Sequence, residues 1–164
     1  MNLYSYAGSN PISFRDPFGL DTIQLQIVKT GPTQYHTSIR IAPDNGHKAF
    51  TLGAGPASVW RAVLGKPTSL VSQPNRPGDT GRQAARITLD LGGQSENEVI
   101  RKLVTQDQHY KDNLPYELEP EATDPHYNSN SYTATMLRAA GITIPVINFN
   151  VPGFEKPIPQ ENLK

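Results

Sequence analysis

Residues 128–141 read NSNSYTATMLRAAG, and this stretch determines the architecture we expect for the chain. Tyr132, Met136 and Leu137 recur at helical spacing, which predicts an amphipathic helix. The Asn and Ser residues that open the stretch are preferred types at helix N-termini, and Gly141 is a typical C-terminal stop. The sequence therefore predicts a helix that begins at Ser129, directly after a run of small polar residues.

Alternating apolar and polar residues predict β-strands elsewhere in the chain. These strands are expected at 22–28, 35–42, 48–52 and 86–91, with a last apolar strand at 142–149. A short helix is predicted over 56–64, and the pair Ser95 and Glu98 forms a capping box that opens a longer helix. We expect residues 66–81 to form a loop and Trp60, Val59, Val63 and Leu64 to belong to the core. The predicted fold class is α+β, with an antiparallel sheet packed against helices.

Composition excludes several kinds of chemistry. The chain has 164 residues, no cysteine, and 15 basic side chains balanced by 15 acidic ones. Disulfides, thiolate metal sites and a cysteine nucleophile are therefore excluded, and no overall charge attracts the protein to nucleic acid. His109 and His126 flank an acidic loop, but their spacing matches no metal-ligand pattern. There is also no Gly-rich phosphate loop, so the sequence predicts neither a metal nor a cofactor.

The start of the predicted helix is a suitable place for a nucleophile. The first turn of a helix presents unpaired backbone N–H groups and the positive end of the helix dipole, which stabilise an alkoxide or an oxyanion. Ser129 is the expected nucleophile, Ser131 is the competing one, and His36 is a general base on a neighbouring strand. Asn128, Asn130 and Ser131 are assigned to the oxyanion-stabilising helix start. The alternative is that these polar residues only cap the helix.

This arrangement resembles the circularly permuted papain-like fold, which includes NlpC-like hydrolases and the lecithin retinol acyltransferase family. In that group a helix begins with Asn-Cys-x-x-aromatic, and a histidine on an earlier strand serves as the base. The resemblance aligns Asn128 with the Asn, Ser129 with the cysteine, Tyr132 with the aromatic residue and His36 with the base. Serine replaces cysteine here, so the resemblance implies a Ser–His acyl hydrolase.

A third residue is needed to orient the imidazole of His36. It should lie on the strand that returns from the hairpin, which offers Thr51 and His47. Asp44 lies at the hairpin turn and is expected to be too far away. We predict Thr51 for this role.

The first twenty residues, MNLYSYAGSNPISFRDPFGL, resemble the closing motif of the Rhs (YD-repeat) core. The resemblance implies that residues 1–20 are the end of a large shell and that the chain is cut between Leu20 and Asp21. Residues 21–164 would then be a toxin domain, neutralised in the producing cell by a cognate immunity protein. The N-terminus has no signal-peptide layout, so we expect the parent protein to carry the domain into target cells, as in type VI secretion.

These observations predict an antibacterial effector that hydrolyses acyl bonds. The preferred substrate is a phospholipid ester, cleaved in the manner of a phospholipase A. An amide in peptidoglycan or protein is the alternative within the same chemistry. A toxin directed at nucleic acid or nucleotides, and a non-enzymatic binding or pore-forming tip, are the alternatives from other classes.

Overall fold

The computed structural model describes residues 22–42 and 48–163. The Rhs-like segment 1–20, the expected cut between Leu20 and Asp21, and the turn holding Asp44 and His47 lie outside the described residues. The described part is a mixed α+β structure, with two antiparallel sheets and three α-helices. This confirms the predicted fold class.

The described residues contain seven strands and three α-helices. In order they are β1 (Thr22–Lys29), β2 (Tyr35–Ala42), β3 (Phe50–Leu52), β4 (Ala54–Pro56), α1 (Val59–Val63), β5 (Ser69–Ser72), β6 (Gln83–Thr88), α2 (Glu96–His109), β7 (Leu114–Pro115) and α3 (Ser129–Ala139). Two 3-10 turns, at Pro77–Thr80 and Gln160–Leu163, complete the set.

The larger sheet has the strand order β3-β2-β1-β6, and all of its pairs are antiparallel. Its two central strands are the long alternating ones that the sequence predicts. In their register His36 of β2 lies opposite Val28 of β1. The apolar side chains of β1 and β2 are buried, with Leu25, Ile27, Ile39 and Ile41 all at 0% exposure.

Helix α3 fills the space between this sheet and α2. It packs on β2 and on α2, and every residue from Ser129 to Leu137 is buried. The hydroxyl of Tyr132 donates to Asp107 of α2. Burial, reinforced by the nearby Asp107, raises the pKa of Tyr132, so the phenol remains a neutral donor. The predicted amphipathic helix is therefore a central, fully packed one.

Helix α2 begins as the capping box predicts, because the side chain of Ser95 accepts the amide of Glu98 at 3.3 Å. The predicted loop 66–81 is more ordered than expected. It contains β5, which lies between β4 and β7 in a second, three-stranded sheet, and the 3-10 turn Pro77–Thr80. These pieces are too short, and too rich in Pro and Gly, to show a strand period.

Two predictions are wrong. Residues 142–149 form no strand, although Ile142, Ile144, Ile147 and Phe149 pack against the core. Pro145 has no N–H to donate to a ladder, which disfavours a strand there. The second error concerns the short helix α1, which buries none of its residues. Its apolar side chains were assigned to the core but are exposed, with Val59 at 62%, Trp60 at 78%, Val63 at 72% and Leu64 at 62%.

Candidate functional site

The N-terminus of α3 is held by an asparagine cap. Asn128 has extended backbone angles, and its side-chain oxygen accepts the amides of Asn130 at 2.9 Å and Ser131 at 3.1 Å. Its side-chain nitrogen donates to the carbonyls of Leu118 and Pro152. Asn128 therefore fixes both the start of the helix and the two segments beside it.

Asn130 ties this helix start to strand β2. Its side-chain oxygen accepts the amide of Thr37 at 2.8 Å and the hydroxyl of Thr37 at 2.9 Å. Its side-chain nitrogen donates to the carbonyl of Tyr35 at 3.0 Å. The same nitrogen also donates to the carbonyl of Pro152 at 2.9 Å. Because Thr37 and Tyr35 are the two neighbours of His36, Asn130 ties the helix start to the backbone on both sides of the histidine.

His36 is paired with an aspartate that the sequence analysis did not identify. The Nε2 atom of His36 lies 2.6 Å from Oδ1 of Asp79. The histidine side chain is 11% exposed and the aspartate side chain is fully buried. A buried carboxylate on one ring nitrogen fixes the orientation of the ring and its tautomer. The other nitrogen, Nδ1, is then the one left to exchange a proton.

Thr51 does not occupy the position predicted for it. Its hydroxyl donates to Oδ2 of Asp79 at 2.6 Å, so it contacts the carboxylate and not the imidazole. The reason is the loop that follows β5, which folds back along β3 and β4 through the bonds Asn75 N–Thr51 O and Gln73 N–Gly53 O. This return inserts Asp79 between Thr51 and His36.

Asp79 is held from several sides. Its amide donates to the carbonyl of Arg76 at 3.0 Å within the 3-10 turn, and its carbonyl accepts from the side chain of the buried Gln26. Gly53 lies against the carboxylate, and a Cβ at that position would lie 2.9 Å from Oδ2. The site therefore requires a glycine there.

Ser129 and His36 line the same cavity of about 300 Å³. Ser129 is largely buried, with 9% of the residue exposed. Both residues also line a smaller adjoining cavity with Asn128, Asn130 and Pro152. Ser129 and His36 therefore face the same cavity, although their chain positions are far apart.

The other residues assigned to the helix start have structural contacts. The amides of Asn130 and Ser131 are taken by the cap of Asn128. The hydroxyl of Ser131 is fully buried and donates to the carbonyl of Gly153 at 2.9 Å, so it is turned away from the cavity. The amide of Ser129 is the first of the helix and has no carbonyl within the helix to pair with. It is the backbone donor best placed for an oxyanion.

Tyr116 is a second site residue that sequence reasoning missed. It lines both cavities together with His36 and Ser129. Burial raises its pKa, an effect that the positive charge of Arg76 opposes only in part. The phenol is therefore a neutral hydrogen-bond donor from a residue that shares both cavities with Ser129.

Arg76 brings a positive charge to the larger cavity. Its guanidinium donates to the carbonyls of Val71 at 3.2 Å and Pro56 at 3.4 Å. Among the described residues, none of the ion pairs involves Arg76. Gly55 allows the group to lie close to β4, since a Cβ there would meet Nη2 at 2.6 Å. A half-buried cation without a carboxylate partner is suited to bind an anionic ligand.

One group of potential metal ligands lies away from this cavity. Single ligand atoms of Glu117, Asp124 and His126 lie within 4.8 Å of one another. The ammonium of Lys156 contacts Oδ1 of Asp124 at 2.7 Å and also donates to two backbone carbonyls of the same loop. Since this cation already neutralises Asp124, we assign the group to holding the loop in place.

The fold and the site together define an α+β domain in which a serine and a histidine line one cavity and a buried aspartate contacts the histidine from behind. No family model matches the chain, and comparisons with curated proteins and with solved structures also find no match. Within the described residues, no helix is both long and apolar enough to cross a membrane.

Proposed function

We propose that this domain is an acyl hydrolase in which Ser129 is the nucleophile, His36 the general base and Asp79 the residue that orients the base. The observation that carries the proposal is the buried His36–Asp79 pair at the edge of a cavity that Ser129 also lines. In serine hydrolases an aspartate orients a histidine, and that histidine activates a serine hydroxyl for acyl transfer.

The proposed reaction has two steps. In the first, Nδ1 of His36 accepts the proton of Ser129 as Oγ attacks the substrate carbonyl carbon. The oxyanion is stabilised by the amide of Ser129 and the phenol of Tyr116. The intermediate expels the leaving alkoxide, which takes the proton from the imidazolium and leaves an acyl-serine. In the second step, water attacks the acyl-serine with His36 again as base, and the carboxylic acid is released.

The cavity favours an ester that carries both an acyl chain and an anionic group. Most of its lining is apolar, with Ala54, Pro56, Val59, Val63, Pro77 and Leu118. Arg76 adds a cation with no carboxylate partner on the same wall, which suits a phosphate. A phospholipid combines these two features, so phospholipase A-like cleavage is the preferred version. A peptide amide in peptidoglycan would leave this apolar wall unused.

A paired substrate assay tests this assignment. The enzyme is given phosphatidylglycerol in mixed micelles, p-nitrophenyl butyrate and purified peptidoglycan, and the release of fatty acid, nitrophenol and muropeptides is measured. We expect fatty acid and nitrophenol. Muropeptide release without fatty acid would refute the lipid version and favour the amidase. No product from any of the three would refute acyl hydrolysis.

Arg76 provides a sharper test of the substrate. We expect Arg76→Gln to lower kcat/KM on phosphatidylglycerol by about 10- to 100-fold, because a charge-assisted hydrogen bond is lost. Activity on p-nitrophenyl butyrate, which has no phosphate, should stay within a few-fold of the wild type. Arg101→Gln, which changes an exposed arginine on α2, is the matched control and should leave both activities unchanged. Equal losses on both substrates would contradict a role in phosphate binding.

For the biological role, we propose an antibacterial effector that the parent Rhs protein delivers into target cells. The support is the resemblance of residues 1–20 to the Rhs closing motif, together with a site suited to membrane lipid. Inducible expression of the domain in bacteria, with and without an export signal, tests this role. We expect growth arrest and lipid loss that Ser129→Ala abolishes, and rescue by the product of the gene that follows, as for a cognate immunity protein. Unimpaired growth in both compartments would refute the role.

A further inference from the structure

The exposed face of helix α1 has no packing partner in the described part of the chain. Val59, Trp60, Val63 and Leu64, which we call the apolar lip, are each more than half exposed. Burying four such side chains would be worth several kcal/mol in total. Apolar groups this large and this close together are characteristic of an interaction surface.

The apolar lip is continuous with the catalytic cavity. Val59 and Val63 line the same cavity as His36 and Ser129. Helix α1 is held at its start by Ser58, whose side chain accepts the amide of Arg61, and after its end by the bond from Arg61 Nε to the carbonyl of Pro67. The lip is therefore an ordered edge of the cavity mouth, and whatever binds the lip lies next to the nucleophile.

The charged residues near the apolar lip indicate what kind of surface the lip binds. The chain as a whole has no net charge, but residues 52–78 contain Arg61, Lys66 and Arg76 and no acidic residue. Arg61 and Lys66 are exposed beside the lip, and Arg76 lies inside the cavity. Glu117 is an acidic residue nearby, and it lines a neighbouring pocket with Lys66. Apolar side chains that have cations beside them match the boundary between acyl chains and anionic headgroups, where tryptophan is also favoured.

We propose that the apolar lip docks on anionic lipid bilayers and positions the cavity mouth at the membrane surface. Lipid as the partner rests on the proposed function, since a phospholipid must leave the bilayer to reach Ser129. With the lip inserted among the headgroups, the acyl chain moves from the bilayer to the apolar wall without crossing water. The cations Arg61 and Lys66 contact headgroup phosphates, while Arg76 receives the phosphate of the lipid inside the cavity.

Trp60 provides a direct measurement, because it is the only tryptophan in the chain. The binding experiment uses the Ser129→Ala protein, so that the lipid stays intact and turnover plays no part. The fluorescence emission of Trp60 is recorded while vesicles of phosphatidylglycerol, or of phosphatidylcholine, are added. We expect a blue shift and quenching by brominated acyl chains, with binding on the order of tenfold tighter to phosphatidylglycerol that weakens as salt is added.

A matched pair of variants locates the surface. Val63→Ser with Leu64→Ser, in the Ser129→Ala background, should weaken vesicle binding about tenfold or more, because two inserted apolar side chains are lost. Val146→Ser, which changes a valine that is 87% exposed and is not among the residues lining the cavity, should bind as before. Thermal unfolding of each variant confirms that all of them are folded.

Three results would overturn the proposal. One is the absence of any spectral shift with either vesicle, and another is a shift that the lip variants leave unchanged. The third is a shift that depends on protein concentration without lipid, which would show that a second copy covers the lip. Hydrolysis of p-nitrophenyl butyrate by the wild type is measured in parallel. Esterase activity without vesicle binding refutes only the docking surface, whereas vesicle binding without esterase activity refutes only the hydrolase.

Discussion

Replacing Asp79 by asparagine tests the proposed mechanism most directly. The carboxylate of Asp79 is fully buried, and its two oxygens lie 2.6 Å from His36 Nε2 and 2.6 Å from the hydroxyl of Thr51. An asparagine fits the same volume. If Thr51 keeps donating to the amide oxygen, the amide NH₂ faces Nε2, and Nδ1 must then carry the ring proton. In that tautomer His36 cannot accept the proton of Ser129.

The expected loss is large and measurable. In serine–histidine–aspartate triads this change lowers kcat by on the order of 10⁴-fold, which is about 5 kcal/mol of transition-state stabilisation. We therefore expect Asp79→Asn to lower kcat on p-nitrophenyl butyrate by about 10³- to 10⁴-fold, with little change in KM. Asp90→Asn is the control, because Asp90 is exposed and its side chain accepts the amide of Gly92, which an asparagine oxygen does equally well. Thermal unfolding checks that both variants fold.

One result would refute the reasoning. If Asp79→Asn is folded and keeps kcat within about tenfold of the wild type, while Ser129→Ala is inactive, then the carboxylate does not determine the tautomer of His36. The ¹⁵N chemical shifts of the His36 ring report the tautomer directly and provide an independent measurement.

The remaining predictions concern other parts of the site and the loop beside it. Ser129→Ala should abolish ester hydrolysis. Ser131→Ala, which loses one buried hydrogen bond, should keep the esterase activity and lower the free energy of unfolding by about 1 kcal/mol. The opposite pattern in esterase and unfolding assays would make Ser131 the nucleophile. In Gly53→Ala the new methyl group adds no charge but displaces the carboxylate of Asp79 that orients His36, so kcat should fall by on the order of tenfold or more while KM stays unchanged. An unchanged kcat would mean that this carboxylate can move without affecting catalysis. Hydrogen bonding to Lys156 lowers the pKa of Asp124 below its ordinary value of 3.8, so this contact stabilises the fold above that pH and the stabilisation is lost as the pH falls further. The thermal unfolding temperature of Asp124→Asn should therefore fall less than that of the wild type when the pH is lowered below 3.8. An equal fall in both proteins would show that protonation of Asp124 is not coupled to stability.

The parts of the fold with a clear period could be predicted from the sequence. Strands β1 and β2 are eight residues long and contain alternating apolar residues, at Ile23, Leu25 and Ile27 and at Ile39 and Ile41, and α2 and α3 begin at the expected caps, Ser95 and Asn128. Strands β4, β5 and β7 have four residues or fewer, which is too few for a period to be recognised. The exposure of α1 could not be predicted, because the apolar composition of this helix is that of a helix packed in the core.

The candidate site was predicted only in part. Ser129 and His36 were found because a helix start and a strand have sequence signals of their own. Asp79 has no such signal, because it stands in a Pro- and Gly-rich loop where aspartate is an ordinary turn residue. Its position depends on the return of that loop along Thr51 and Gly53, a long-range contact that no local pattern encodes. The roles of all these residues remain predictions for the assays above.

The bonds from Asn130 to both neighbours of His36 have a consequence for the delivery that we propose. Thr37 and Asn130 stand 93 positions apart in the chain, and the interaction between them forms only when the strand and the helix are both in place. Under the proposed mechanism, neither half of the molecule is catalytically competent on its own. Under the proposed delivery, a polypeptide that is still extended during translocation is therefore inactive, and hydrolysis begins only when folding is complete.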